Sequence, residues 1–235
     1  MRDCGIRRPL ADTAGGNAGV RLHTPRGRGI VSPMTALSPT RRATIRTAAD
    51  ALLAGYRSRA IDFTVLIHIC RDKGIELFDA DLRDIAGALR REDERWRIYL
   101  NREDTPARRL FTLAHALGHY VLHADCSQAF VESRFTHLPA IGADDLVAEC
   151  EANAFAACLV MPAGVIDFLL ADRRPTEQQV LALAERFGVS PLAMAHRLGD
   201  LGYAVPSPRP YPLPVSRVLR PPAGAMTSAA HPGVG

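Results

Sequence analysis

The chain has 235 residues, of which 47% are hydrophobic and 23% charged, with a formal net charge of +4. That length buries one good core or two small ones, and the composition is that of an ordinary globular protein. No run of 18 apolar residues offers a membrane-spanning helix, and the charge is uneven. Residues 1–33 carry +4 and residues 206–235 carry +3, which leaves −3 for residues 34–205. A mildly acidic body argues against a basic nucleic-acid groove.

Residues 1–39 are rich in Gly, Arg, Pro and Thr and lack apolar periodicity, which predicts a disordered N-terminal extension. They contain no apolar h-region, so no secretory signal is expected. Met34 reads as an alternative start of translation. The cysteines Cys4, Cys70, Cys126, Cys150 and Cys158 are odd in number and scattered, with no C-x-x-C. They are expected to be reduced thiols in a cytoplasmic protein.

Residues 40–57 place Ile45, Ala48, Ala49, Leu52 and Leu53 at helical spacing. A second helix is predicted over 62–73, stopped by Gly74. Residues 75–78 read as a short strand. Residues 86–91 and 95–100 read as two strands joined around Asp93-Glu94, the second alternating Trp96, Ile98 and Leu100 with arginines and Tyr99. Together these predict a small, mostly antiparallel sheet.

Asp104-Thr105-Pro106 is a helix start, with a capping side chain followed by proline at the first helical position. The helix runs to about His123. Leu110, Leu113, Ala114, Leu117 and Val121 form its apolar stripe, and at 100° per residue His115 and His119 point well away from it. Residues 124–143 show no periodicity and are expected to form a loop beside the site. Residues 144–161 then predict a helix that is apolar nearly all round, hence buried, and ended by Pro162. Thr176 and Gln179 are spaced as a capping box for a helix reaching Phe187. After a turn at Gly188, Ser190-Pro191 opens another helix reaching about Leu201. From 204 to 235 Pro, Arg and Gly dominate, which predicts an unfolded tail. The folded part is thus expected over 40–203.

His115 and His119 lie four apart, so both can reach one ion from one helix face. Glu149 shares a face of the later helix with Ala152, Asn153 and Ala156. A buried glutamate must be paired, protonated or metal-bound, so Glu149 is the candidate third ligand, and Asn153 could orient a histidine ring. Glu151 competes for that role but lies about 200° around the helix. His123 is about 12 Å from His115 along the axis, too far for the same ion, and reads as a helix-end residue. The pattern H-E-x-x-H needs Glu after the first histidine, and here that residue is Ala116.

Four segments align in order and spacing with one family. They are Arg97-Ile98-Tyr99-Leu100-Asn101, then Arg109-Leu110-Phe111-Thr112-Leu113-Ala114-His115-x-x-Gly118-His119, then Glu149-x-Glu151-Ala152-Asn153-x-Phe155-Ala156-Ala157, then Leu159-Val160-Met161-Pro162. They resemble the ImmA/IrrE metallo-endopeptidases over roughly residues 45–202. The resemblance implies an α+β, zincin-like metallopeptidase domain with an HxxxH helix and a closing C-terminal helical pair. It implies Zn2+ held by His115, His119 and Glu149, and a helix-turn-helix repressor as substrate or binding partner. It also places the family's general base at Ala116, so catalysis is expected to be impaired or absent. Three explanations stand: a natural pseudopeptidase, a deliberately inactivated enzyme, or a substitute carboxylate such as Asp125 or Glu132. A rival reading takes residues 184–190 as the start of a helix-turn-helix, with Arg197 and His196 on a recognition helix that binds a repressor or DNA.

Overall fold

The computed structural model describes residues 37–56, 61–133 and 143–206. The first helix, α1 (Pro39–Leu53), starts where the Ser38 hydroxyl accepts from the Arg41 N–H and Pro39 opens the first turn. Its buried face is Ile45, Ala49 and Leu53. α2 (Phe63–Asp72) is capped by Asp62, which accepts from the Val65 N–H. The chain leaves α2 through Gly74 at φ 68, a left-handed conformation that glycine takes without a Cβ penalty.

The strands β1 (Glu76–Ala80), β2 (Ile85–Glu92) and β3 (Arg95–Asn101) follow. The β2–β3 turn holds Asp93 and Glu94 at φ 49 and 63. Two successive positive φ angles are the hairpin geometry that matches strand twist. A fourth strand, β4 (Ala129–Ser133), completes the sheet in the order β1-β3-β2-β4. β1 runs parallel to β3, while the β2–β3 and β2–β4 pairings are antiparallel, as expected of a mostly antiparallel sheet. β4 lies where a loop was expected. Its period was hidden because its inward face mixes the apolar Phe130 with the charged Glu132, while the apolar Val131 of the other face is 55% exposed.

α3 (Pro106–His123) is capped by Thr105 and packs on β2 and β3. Leu110, Leu113, Ala114 and Leu117 are buried as the stripe predicted, but Val121 is exposed. α4 (Ala143–Val160) lies along α3 and also against α1. The α3–α4 approach is close: a Cβ on Gly118 would sit 3.1 Å from the Ala152 Cα and O and 3.2 Å from the Phe155 Cβ. A short helix not anticipated from the sequence, α5 (Ala163–Leu169), starts directly after Pro162. α6 (Glu177–Arg186) carries the expected Thr176–Gln179 capping box, and α7 (Pro191–Asp200) follows the turn at Gly188.

The result is the α+β fold the sequence implied. Its inner margins extend slightly past 40–203. Leu37 is buried, Ser38 caps α1, and the Ala204 N–H donates to the Arg173 carbonyl. The rest of the expected extension and tail lies outside the described residues. No single described helix is long and apolar enough to cross a membrane. Cys70, Cys150 and Cys158 are free, whereas Cys126 is disulfide-bonded, so the expectation of five reduced thiols fails there.

Candidate metal centre

α3 presents His115 and His119 one turn apart, both buried, and α4 brings Glu149 to them. The His115 Nε2 and His119 Nε2 atoms are 3.0 Å apart. Glu149 Oε1 is 3.1 Å from His119 Nε2, and Glu149 Oε2 is 3.3 Å from His115 Nε2. Donors bonded at 2.0–2.1 Å to a tetrahedral ion stand about 3.3 Å from one another. The three side chains therefore already have nearly the spacing such an ion imposes.

The outward-facing ring nitrogens settle where the lone pairs point. His115 Nδ1 lies 3.1 Å from Asn153 Oδ1, an acceptor, so the His115 proton belongs on Nδ1. His119 Nδ1 lies 3.1 Å from His123 Nδ1, and His123 Nε2 lies 2.9 Å from Glu151 Oε2. A neutral His123 that donates through Nε2 to this carboxylate accepts at Nδ1, so His119 also carries its proton on Nδ1. Both Nε2 lone pairs and a carboxylate then converge with no proton among them. Such a trio needs a cation, either a metal ion or a captured proton.

The electrostatics agree. Burial would pull His115 down, but the charges of Glu132 and Glu149 and the Glu149 and Asn153 bonds outweigh it and raise its pKa. Burial, helped by the charges on His115 and His123, pushes His119 down to about 4. Burial would raise Glu149, yet hydrogen bonding and charge from the histidines, available once a proton is captured among the three, hold it well below the usual carboxylate range. The Phe130 ring of β4 stacks on His119 at 4.3 Å between centroids and 19° between planes, which fixes the imidazole from its flat side.

The structure thus brings together His115, His119, Glu149 and Asn153. Glu151, the rival to Glu149, turns away and is held by Arg41 and His123. His123 is more than a helix-end residue, because it is buried and bonded to His119. The sequence signal for it was present as a second i, i+4 step after His115 and His119.

Ala116 is buried beside a cavity of about 10 Å³ that it shares with Gly87, Thr112 and Glu132. Glu132 Oε2 and Thr112 Oγ1 are buried there without a hydrogen-bond partner among the described residues. Asp125 is exposed in the turn after α3 and does not line this cavity. A larger cleft of about 460 Å³ shares Thr112, Glu132 and Asn153 with the site and runs between α3, α4 and α7. Its walls include Phe111, Met161 and Leu192, the apolar lining that suits a peptide side chain. The rival DNA reading loses its main residue here. Arg197 is buried, and its Nε donates to the Met161 carbonyl at 3.0 Å.

The peptidase M78 family model, described as the IrrE N-terminal-like domain, matches residues 70–199, more than half of the chain. No curated protein matches the sequence. Among solved structures, a Mycobacterium tuberculosis transcriptional regulator is similar at 18% identity, with a TM-score of 0.47. The similarity covers 66% of this chain and 46% of that one, so the chain spans less than half the length of that protein.

Proposed function

The chain belongs to the IrrE N-terminal-like peptidase family, and from that premise we propose that it is a cytoplasmic zinc-binding protein that engages a helix-turn-helix repressor, with peptide cleavage crippled at Ala116. The observation that carries this reading is the convergence of two Nε2 lone pairs and the Glu149 carboxylate at mutual distances of 3.0–3.3 Å. His115, His119 and Glu149 would hold the ion, and Asn153 fixes the His115 ring. A bound zinc supplies an acidified water and a positive charge that polarises a peptide carbonyl. What this chain lacks is a carboxylate at 116 to take the proton of the attacking water and return it to the leaving amine. Such acid–base assistance contributes about 10²–10⁴-fold, and a methyl group contributes none.

The test joins metal analysis of the full chain to a cleavage assay on a candidate helix-turn-helix repressor from the same genome. The expected result is about one zinc per chain, as the one donor cluster found among the described residues implies, lost in His115→Ala. Cleavage should be weak or absent in the chain as it stands and restored in Ala116→Glu. A metal-free protein with an intact fold would overturn the reading.

A second reading has one observation in its favour. Glu132 lines the same small cavity as Ala116 with an unpartnered carboxylate oxygen. If it serves as the base, the unaltered chain cleaves the repressor and Glu132→Gln abolishes that activity with zinc content unchanged.

A further inference from the structure

The line of side chains behind His119 extends further than metal sites require. It runs from His119 Nδ1 to His123 Nδ1 at 3.1 Å, and from His123 Nε2 to Glu151 Oε2 at 2.9 Å. It ends on Arg41 of α1, whose Nε and Nη2 donate to the two Glu151 oxygens at 2.6 and 2.5 Å. His119, His123 and Glu151 are all buried, and Arg41 is the half-exposed end. Each member has one direction open to it. Arg41 can only donate, so both Glu151 oxygens accept. Glu151 accepts again from His123 Nε2–H. His123 is left with a lone pair on Nδ1, which accepts the His119 Nδ1–H. The only lone pair then remaining on His119 is at Nε2, the atom facing His115 and Glu149.

We propose that His123, Glu151 and Arg41 are positioning residues that lock His119 in the Nδ1–H tautomer and fix its ring plane, which makes α1 a working part of the metal centre. This rests on the metal-binding reading above. It adds an element to the site from outside the span matched by the family model, because Arg41 precedes residue 70. The bidentate Arg41–Glu151 pair is the outermost anchor. A planar guanidinium grips a carboxylate in one orientation, and that orientation is passed inward through two imidazoles of fixed tautomer. Phe130 restrains the His119 ring from one flat side, but a stacked ring cannot choose between tautomers. That choice falls to His123.

The test measures zinc affinity of the full chain by competition with a chromophoric chelator, beside the melting temperature of the metal-free protein. Residues behind a ligating histidine commonly control about 10–100-fold in metal affinity. His123→Phe, which keeps a ring of similar size but offers no acceptor, should weaken zinc binding by that amount. His123→Gln, whose amide oxygen can again accept from His119 Nδ1–H, should recover most of the loss. Arg41→Ala should weaken binding by about 10-fold, the low end of that range, and Arg41→Lys by less. In ¹⁵N spectra of the metal-free protein, His119 should carry its proton on Nδ1 in the unaltered chain and as a tautomer mixture in His123→Phe. Zinc affinities equal to the unaltered chain in His123→Phe and Arg41→Ala would overturn the proposal, even if those variants melt earlier. If the unaltered chain itself binds no zinc, the metal reading fails first and this inference falls with it, so the two failures are distinguishable.

Discussion

At the scale of single residues, the centre of the molecule is defined by one missing carboxylate and one orphaned one. Ala116 opens on a cavity of only about 10 Å³, and Glu132 Oε2 is buried beside it without a partner. Placing a glutamate at 116 therefore does two things. It supplies the absent base, and it presses a second carboxylate into a space shared with the first. Like charges in one buried site cannot both ionise cheaply, and overpacking alone costs about 1–3 kcal/mol. Ala116→Glu is expected to melt earlier than the unaltered chain in the metal-free state. The double variant Ala116→Glu, Glu132→Ala should regain most of that loss, because it removes both the crowding and the repulsion. Thermal melts of the two proteins check this, and no recovery in the double variant would mean the cavity opens away from Glu132.

At the scale of elements, the site depends on how closely α4 lies on α3. Glu149 reaches the histidines only because Gly118 lets the Ala152 backbone approach to within 3.1 Å of where a Cβ would be. The atoms opposite are helix backbone and cannot swing aside, unlike the end of a flexible side chain. Gly118→Val should cost about 1–3 kcal/mol by overpacking, read from a denaturation curve. It should also lower zinc affinity, since a displaced α4 carries Glu149 away from α3. Gly118→Ala has a partial offset, because alanine favours the helix by about 1 kcal/mol over glycine, and should fall between. Much of this level was legible in the sequence. The caps at Thr105, Thr176 and Ser190 marked three helix starts, because a capping side chain and its N–H are local in the chain. The HxxxH pair and the Glu149–Asn153 face were legible for the same reason, as fixed angles on single helices. The fourth strand was not, because its inward face carries the charged Glu132 beside Phe130 and its outward face the apolar Val131, which blurs the usual alternation. Nor was the role of His123 and Glu151, whose meaning depends on Arg41, 110 residues before Glu151. Spacing within one helix cannot reveal a partner on another.

At the scale of the whole molecule, the buried core of the described residues runs from Leu37 to Tyr203, with every candidate metal residue and Arg41 inside that interval. The charge is distributed the other way: +4 in residues 1–33, +3 in residues 206–235, and −3 between them. The core of the described residues and the basic character therefore lie in different parts of the sequence, and we propose that the two can be separated. Compared in reducing buffer, so that the Cys126 disulfide is open in both, a protein cut to residues 37–206 should keep the zinc stoichiometry of the full chain and melt within about 2 °C of it, a shift of about 0.5–1 kcal/mol for a domain of this size. It should at the same time lose retention on a polyanion such as heparin. Attraction to a polyanion scales with the cations that can replace counterions, and it weakens as salt rises. The full chain should bind heparin at low salt and elute as salt increases, and the cut protein should pass through at the same low salt. Retention of the cut protein would mean that arginines of the folded part form a basic face despite the net negative charge. That result would return the helix pair α6–α7 to consideration as a nucleic-acid surface without Arg197. If instead the cut protein binds zinc but melts far earlier, the ends contribute packing beyond the core between Leu37 and Tyr203.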